Sequence, residues 1–353
     1  MRRAAKLTVV CALSALALAP VAHADLRVGV ADDHPKISPE LAGRFYDTMA
    51  DVGLTENRIT VQWDSTQPTT IPNLSAIQQA IDIATAHNVR ITLAVYPDSA
   101  RALTGSPTAG LRFVQWVQLV AQAFPQVKDF IVGNEPNKSR FWLPQFNQNR
   151  TAAACAAYEP ILAASYDALK SVDRTITVIG VGLGPRGTDN PFAPGNLSIS
   201  PVRCIRDIGR VYRASRRTKP IMDQLSYHPY PNASTDKLET GYSWPNAGVP
   251  NLDRIKQAVW DAFYGTAQPT FAEAGMPYGP VRTLKLRLNE VGWQVSIPPS
   301  SRGAYYGRET VVPTDEGNQA AIYGNMIAML ACDPSVESLL FFDLIDEEDL
   351  ARW

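Results

Sequence analysis

From Leu26 onward, eight short β-rich runs alternate with helix-like segments, and no other feature limits the choice of fold as strongly. The runs are Leu26 to Ala31, Asn57 to Trp63, Val89 to Tyr96, Lys128 to Asn134, Ile176 to Gly182, Met222 to Tyr227, Thr283 to Glu290 and Ser338 to Asp343. The segments between them carry helical periodicity. Ser75 stands where it caps a helix over Ala76 to His87, and Pro107 opens a stretch with Leu111, Val114, Val117 and Ala121 at helical spacing. Ala152 to Lys170, Val202 to Ala214, Leu252 to Tyr264 and Asn318 to Leu330 read the same way. Strands that alternate with helices pair in parallel, and eight such units close into a (β/α)8, or TIM, barrel at this length. A doubly wound open sheet is the competing arrangement. It is disfavoured because no Gly-rich dinucleotide turn follows the first strand.

Three long irregular stretches, Leu183 to Pro201, Pro229 to Pro250 and Val291 to Gly317, follow predicted strands five, six and seven. In a barrel these connections build the mouth, so they are expected to shape a cleft rather than to link domains. After the eighth strand about ten residues remain, Leu344 to Trp353, too few for the helix that normally covers the seam between strands eight and one. Either the chain is truncated there or the barrel closes with a short or missing last helix.

Met1 to Ala24 has the make-up of a secretory leader: Arg2, Arg3 and Lys6, then the apolar run Leu7 to Val21, then Ala22-His23-Ala24 as an A-x-A cleavage site. The run is too short to span a bilayer comfortably, and no later run reaches that length. The mature chain is expected to begin at Asp25 as one catalytic domain and to be exported. Removing those 24 of 353 residues takes three cations with it and moves the formal net charge from -1 to -4. A mildly acidic chain has no electrostatic footprint for nucleic acid or for an anionic membrane. Of four cysteines, Cys11 leaves with the leader. Cys155 and Cys204 are available for a disulfide with Cys332 left over, or all three are buried thiols. None has the close Cys or His neighbours of a zinc site, and His34, His87 and His228 form no close pair, so neither a metal nor a cofactor is expected.

The chemistry concentrates at two strand ends. Ile131-Val132-Gly133-Asn134-Glu135-Pro136-Asn137 ends strand four, and Leu286-Arg287-Leu288-Asn289-Glu290-Val291-Gly292-Trp293 ends strand seven. Alone, each glutamate is readable as a solvated charge. Side chains at the C-terminal ends of barrel strands converge on one mouth, so Glu135 and Glu290 are expected to face each other across it. Two facing carboxylates are what glycoside hydrolysis needs: one protonates the departing oxygen and the other captures or stabilises the oxocarbenium-like centre.

With Ser226-Tyr227-His228-Pro229-Tyr230 after strand six, these strand ends make the chain resemble glycoside hydrolase clan A, the retaining (β/α)8-barrel glycosidases. The likeness in architecture covers the mature chain, while motif identity is confined to the three strand ends. The resemblance implies Glu135 as acid/base and Glu290 as nucleophile, their carboxyl groups about 5 Å apart, with Asn134 on the sugar 2-hydroxyl. It also implies His228 and Tyr230 beside the carboxylates, one of them donating a hydrogen bond to Glu290. The implied substrate is a β-linked oligo- or polysaccharide, or an α-L-arabinoside of equivalent geometry. Trp293 is the foremost candidate for a sugar contact, followed by Trp63, with Tyr96, Trp142 and Trp244 as further stacking platforms. Arg58 on strand two either reaches the carboxylates or pairs elsewhere.

Two features depart from the pattern. Where the clan places a Trp after strand eight, this chain has Phe341-Phe342-Asp343, with Asp346 and Glu347 beyond. In strand seven, strict alternation puts Leu284, Leu286 and Leu288 on the face of Glu290 and turns Lys285 and Arg287 toward the helices, unless a bulge near Asn289 intervenes. A carbohydrate-binding barrel without turnover and a metal-dependent barrel hydrolase are the rival functions.

Overall fold

A computed structural model describes residues 26–271 and 283–350. The leader, Met1 to Ala24, and the chain end beyond Leu350 lie outside the described residues. Eight strands, β1 (Arg27–Ala31), β2 (Glu56–Trp63), β3 (Arg90–Pro97), β4 (Asp129–Val132), β5 (Thr177–Leu183), β6 (Gln224–Tyr227), β7 (Lys285–Val291) and β8 (Val336–Phe341), pair in parallel in chain order. Pairing of β1 with β8, from Arg27 opposite Ser338 to Val30 opposite Phe341, closes the barrel. The helices are α1 (His34–Ile37), α2 (Ala42–Asp51), α3 (Leu74–Ala86), α4 (Ala109–Ala123), α5 (Ala154–Val172), α6 (Pro201–Ser215), α7 (Leu252–Phe263) and α8 (Glu316–Ala331). The expected strands and their order are thus borne out. Ser75 lies inside the first turn of α3, which starts one residue after Asn73 without a side-chain cap. In α4 the buried face is Phe113, Trp116, Val117, Val120 and Ala121, while Leu111 points to solvent.

Strand side chains alternate between two different environments. Outward-facing Ile59, Val61, Leu93, Val95, Leu286, Leu288 and Leu339 join the core between sheet and helices. Inside the barrel a thin apolar cluster is formed by Ala94, Ile131 and Ile179, with Tyr96 against them. Below it lies a charged floor. Glu56 accepts from Arg27 and from Thr92 Oγ1 (2.8 Å), and contacts Arg287. Arg287 also donates to Ser338 Oγ (3.0 Å) and faces Asp129, which Arg90 holds from the other side (2.8 Å).

Strand β7 takes the second of the two expected arrangements, with a bulge near Asn289. The leucines face the helices and Arg287 faces the barrel interior, opposite to what alternation counted back from Glu290 implies. The register between β7 and β8 slips between Leu288 and Val291, giving β7 an extra residue. That bulge reverses the parity, so Glu290 turns inward although it shares odd-even position with the outward leucines.

After β8 the described chain runs on as a loop, with Tyr306 paired to Asp349 and Leu350 buried. Cys155 and Cys204 are disulfide-bonded, joining the first turns of α5 and α6, and Cys332 is an exposed thiol.

Candidate active site

Glu135 follows β4 in a left-handed backbone conformation (φ 36°), preceded by Gly133 at φ 89°. A Cβ at Gly133 would lie 2.7 Å from Tyr158 Cε2, so both the dihedral and the close approach call for glycine. The unusual backbone is tied on both sides. Gly133 N–H donates to Val95 O (2.8 Å) and Glu135 N–H to Gly182 O (2.8 Å). Gly182 sits in a β5 bulge between Val181 and Leu183, and the Tyr158 hydroxyl bridges β4 and β5 by donating to Val132 O and accepting from Val181 N–H (3.1 Å). Strain of this kind persists where surrounding contacts over-determine it.

Across the mouth, Glu290 accepts from Arg58 through Oε1 and from the Tyr230 hydroxyl through Oε2 (3.2 Å). Arg58 also donates to Asn134 Oδ1 (3.1 Å), so one guanidinium joins strand two to both strand ends. His228, fully buried, places Nδ1 3.2 Å from Glu135 Oε1 and 3.6 Å from Glu290 Oε2. Two oxygens at those distances from one nitrogen are no more than about 6.8 Å apart, the sum of the two.

Burial pushes Glu290 toward its neutral form, but the electrostatic pull of His228 and Arg58 and the hydrogen bonds from Arg58 and Tyr230 outweigh it, leaving its pKa below the ordinary value. Burial, then the field of Glu290, drives the Tyr230 phenol well above its usual range, so it stays a hydrogen-bond donor. The structure therefore brings together Glu135, Glu290, Asn134, His228, Tyr230 and Arg58.

Trp63 and Trp293, the foremost of the four tryptophan candidates for a sugar contact, are buried against protein instead of bare at the mouth. Trp63 is fully buried on the outer face of β2, its indole N–H on Pro68 O (3.3 Å) and its ring edge-on to Phe113. It lies five positions along the strand from inward-facing Arg58, an odd offset, so it must point the other way. Trp293 is also buried, its indole N–H on Asp236 O (2.9 Å) and its ring packed against Tyr323, where it anchors the loop after β6. Trp142 is buried edge-on to Tyr158, while Trp244 keeps an exposed ring beneath Arg206.

At the end of β8, Phe342 packs edge-on to Tyr230 (6.3 Å between centroids) and donates its amide to Val291 O (3.0 Å). Asp343 follows. The amides of Leu344 and Ile345 on its far side donate to Asp32 Oδ2 (3.0 and 3.1 Å). Burial, then the charges of Asp32, Glu347, Glu290 and Asp33, push Asp343 up to about 10. A carboxyl that holds its proton more tightly folded than unfolded loses stability as pH rises from its ordinary value of 3.8 toward 10, because folding suppresses an ionisation that the unfolded chain undergoes. Asp343→Asn is therefore expected to melt like the wild type near pH 4 and about 2–4 °C higher at pH 8. The same difference in melting temperature at both pH values would contradict this.

Residues passed over in the sequence also shape the mouth. Asn137, fully buried, donates to Gly184 O (3.1 Å) and Ile199 O (3.0 Å) and accepts from Gly184 N–H (3.1 Å), locking the loop after β4 to the loop after β5. An Asn after a strand reads as a terminator, and its long-range partners have no local trace.

With this geometry the barrel is similar to solved glycoside hydrolases. It matches a family 39 glycoside hydrolase from the gut symbiont Bacteroides cellulosilyticus WH2 at a TM-score of 0.58 and 16% identity, over 91% of this chain and 57% of that one. It matches the family 39 enzyme of Xanthomonas axonopodis pv. citri at 0.55 and 14%, over 92% and 60%. An endo-1,4-β-mannanase from Rhizomucor miehei matches at 0.52 and 12%, over 90% and 86%. The chain has the fold of these enzymes. It spans about three-fifths of the length of the two family 39 structures. No protein-family model matches the sequence, and no curated protein matches it either.

Proposed function

We propose that this protein is a secreted retaining glycoside hydrolase that cleaves O-glycosidic bonds in a β-linked oligo- or polysaccharide. The observation that carries the reading is the pair of carboxylates, Glu135 and Glu290, held on either side of one buried imidazole nitrogen at 3.2 and 3.6 Å. The bound of about 6.8 Å on their nearest oxygens accommodates the roughly 5 Å separation of a retaining pair. The leader-like start and the Cys155–Cys204 disulfide suit an oxidising, extracytoplasmic setting. A β-linked substrate is in keeping with the mannanase among the similar folds.

In this mechanism Glu290 attacks the anomeric carbon as a carboxylate. The bond to the leaving oxygen breaks, and Glu135 supplies that oxygen with a proton. Water then attacks the glycosyl ester, gives its proton to Glu135, and releases the sugar with retained configuration and Glu290 as a free carboxylate. Arg58 and Tyr230 keep Glu290 ionised and oriented. Arg58 also occupies Asn134 Oδ1, which leaves the amide NH2 as the donor for the sugar 2-hydroxyl.

The test is a panel of aryl glycosides and polysaccharides incubated with the mature chain and with Glu290→Ala, the first anomer released being read by proton NMR. Retention is expected. Inversion would refute double displacement, and no turnover by either protein would favour the rival reading, a carbohydrate-binding barrel.

A further inference from the structure

On the Glu135 side of the mouth lies a pair of cations for which the mechanism has no use. Lys138 is half-buried, yet its ammonium makes no hydrogen bond or ion pair with any described residue. Other half-buried lysines behave differently: Lys36, Lys128, Lys170 and Lys256 each have a carboxylate within 2.8 Å, and Lys285 donates to Pro334 O. Glu135 attracts Lys138 through space without forming an ion pair with it, and its direct contact is with His228.

Room for Lys138 has been made deliberately close to the carboxylate. A Cβ at Gly184 would lie 2.6 Å from Lys138 Cε and 2.9 Å from Glu135 Oε1, so the end of the lysine and the carboxylate lie against one patch of bare backbone. Two residues on, Arg186 is exposed, takes part in no ion pair among the described residues, and is steadied by a hydrogen bond to Asn232 Oδ1 on the loop after β6. Burial lowers the Lys138 pKa, the charge of Glu135 raises it, and Arg186 is near enough to lower it again. The attraction of Glu135 does not outweigh burial and Arg186 together, so a further counter-charge at this pair is favourable.

We propose that Lys138 and Arg186 form a subsite for an anionic group, a carboxylate or sulfate, on the sugar residue that departs. The proposal rests on the glycosidase reading for its geometry: the proton donor faces the leaving oxygen, so cations beyond Glu135 and away from Glu290 meet the leaving portion of the substrate. The substrate class is then an acidic glycan, such as one bearing uronic acid residues or sulfate esters, cleaved on the non-reducing side of the charged residue. A lysine ammonium suits the site as a compact point charge behind the carboxylate, and an exposed arginine as the bidentate outer partner.

The experiment compares two aryl glycosides of one sugar, one leaving as 4-hydroxy-3-nitrobenzoate and the other as its methyl ester. The wild type is expected to prefer the anionic substrate in kcat/KM, and Lys138→Met to lower that preference about tenfold, with Arg186→Gln acting in the same direction and added NaCl weakening it. Turnover of both substrates with the same preference in wild type and Lys138→Met would overturn the subsite and leave the hydrolase intact. Equilibrium binding of D-glucuronate, D-glucose 6-sulfate and D-glucose, measured by calorimetry, separates the remaining cases and tells carboxylate from sulfate. Selective, Lys138-dependent binding of either anion without turnover would sustain the subsite and refute the hydrolase. Neither turnover nor selective binding would refute both.

Discussion

Glu290→Ala should lose turnover by on the order of 10^5-fold or more, the scale seen when a covalent nucleophile is removed. The loss should be the same whatever the leaving group, because without the carboxylate no glycosyl ester forms. Glu135→Ala should behave differently. An aryl group that departs readily needs little help from an acid, so the first step survives with activated substrates, while the second step stalls without its base. Azide, a nucleophile that needs no deprotonation, is expected to restore Glu135→Ala and to yield a glycosyl azide of retained configuration. In Glu290→Ala the same anion can act only from the vacated face and should yield the inverted azide. Identical leaving-group dependence in the two variants would refute the division of roles. Because Glu290→Ala leaves Arg58 buried without its carboxylate, Glu290→Gln serves as the companion variant, with circular dichroism used to check that each is folded.

Arg287→Met should cost about 3–5 kcal/mol of stability, the toll of stripping a buried ion pair of one partner. Glu56 and Asp129 are almost fully buried in the barrel floor, and Arg287, with no exposure of its own, lies between them. A methionine of similar length fills the space but leaves two carboxylates with less cation to face. For a barrel of this size that corresponds to a fall in melting temperature of roughly 10 °C. Two further readings make the cause specific. The deficit should shrink toward pH 5, since carboxylates without their cation take up protons more readily in the folded state. Adding Glu56→Gln to Arg287→Met should recover part of it, because a neutral amide removes the stranded charge. A variant that melts with the wild type would show the floor network to be energetically idle.

The same floor shows where reading along the chain fails. Leu286-Arg287-Leu288-Asn289-Glu290 alternates regularly, and alternation assigns every second residue to one face. The local pattern raises a bulge near Asn289 as one of two alternatives, but nothing local decides that β7 gains a residue against β8 between Leu288 and Val291. The slip arises because the strand must match the register of the closed barrel, a property of eight strands together. Hence strict alternation misplaces Arg287, whereas the bulge puts it inside the barrel and still turns Glu290 inward. Trp63 and Trp293 failed for a related reason. An aromatic near a strand end is chemically suited to sugar, but whether its ring is bare depends on α4, α8 and the loop after β6, which cover these two.

What the amino-acid sequence determined by itself is whatever neighbouring residues decide jointly: the strand-helix rhythm, the order of the eight strands, and the abrupt passage from apolar strand to Asn134-Glu135-Pro136 and to Glu290. Hydrophobic periodicity and strand termination act over a few residues, so they can be read from a few residues. Only the tertiary structure decided which charges meet. Arg58 joins Glu290 to Asn134, His228 contacts both glutamates, Asp343 keeps its proton among four other carboxyls, and Lys138 has no hydrogen-bond or ion-pair partner among the described residues. Electrostatic energy depends on distance and burial through space, and the closed barrel brings residues as far apart in the chain as Arg58 and Glu290 into contact.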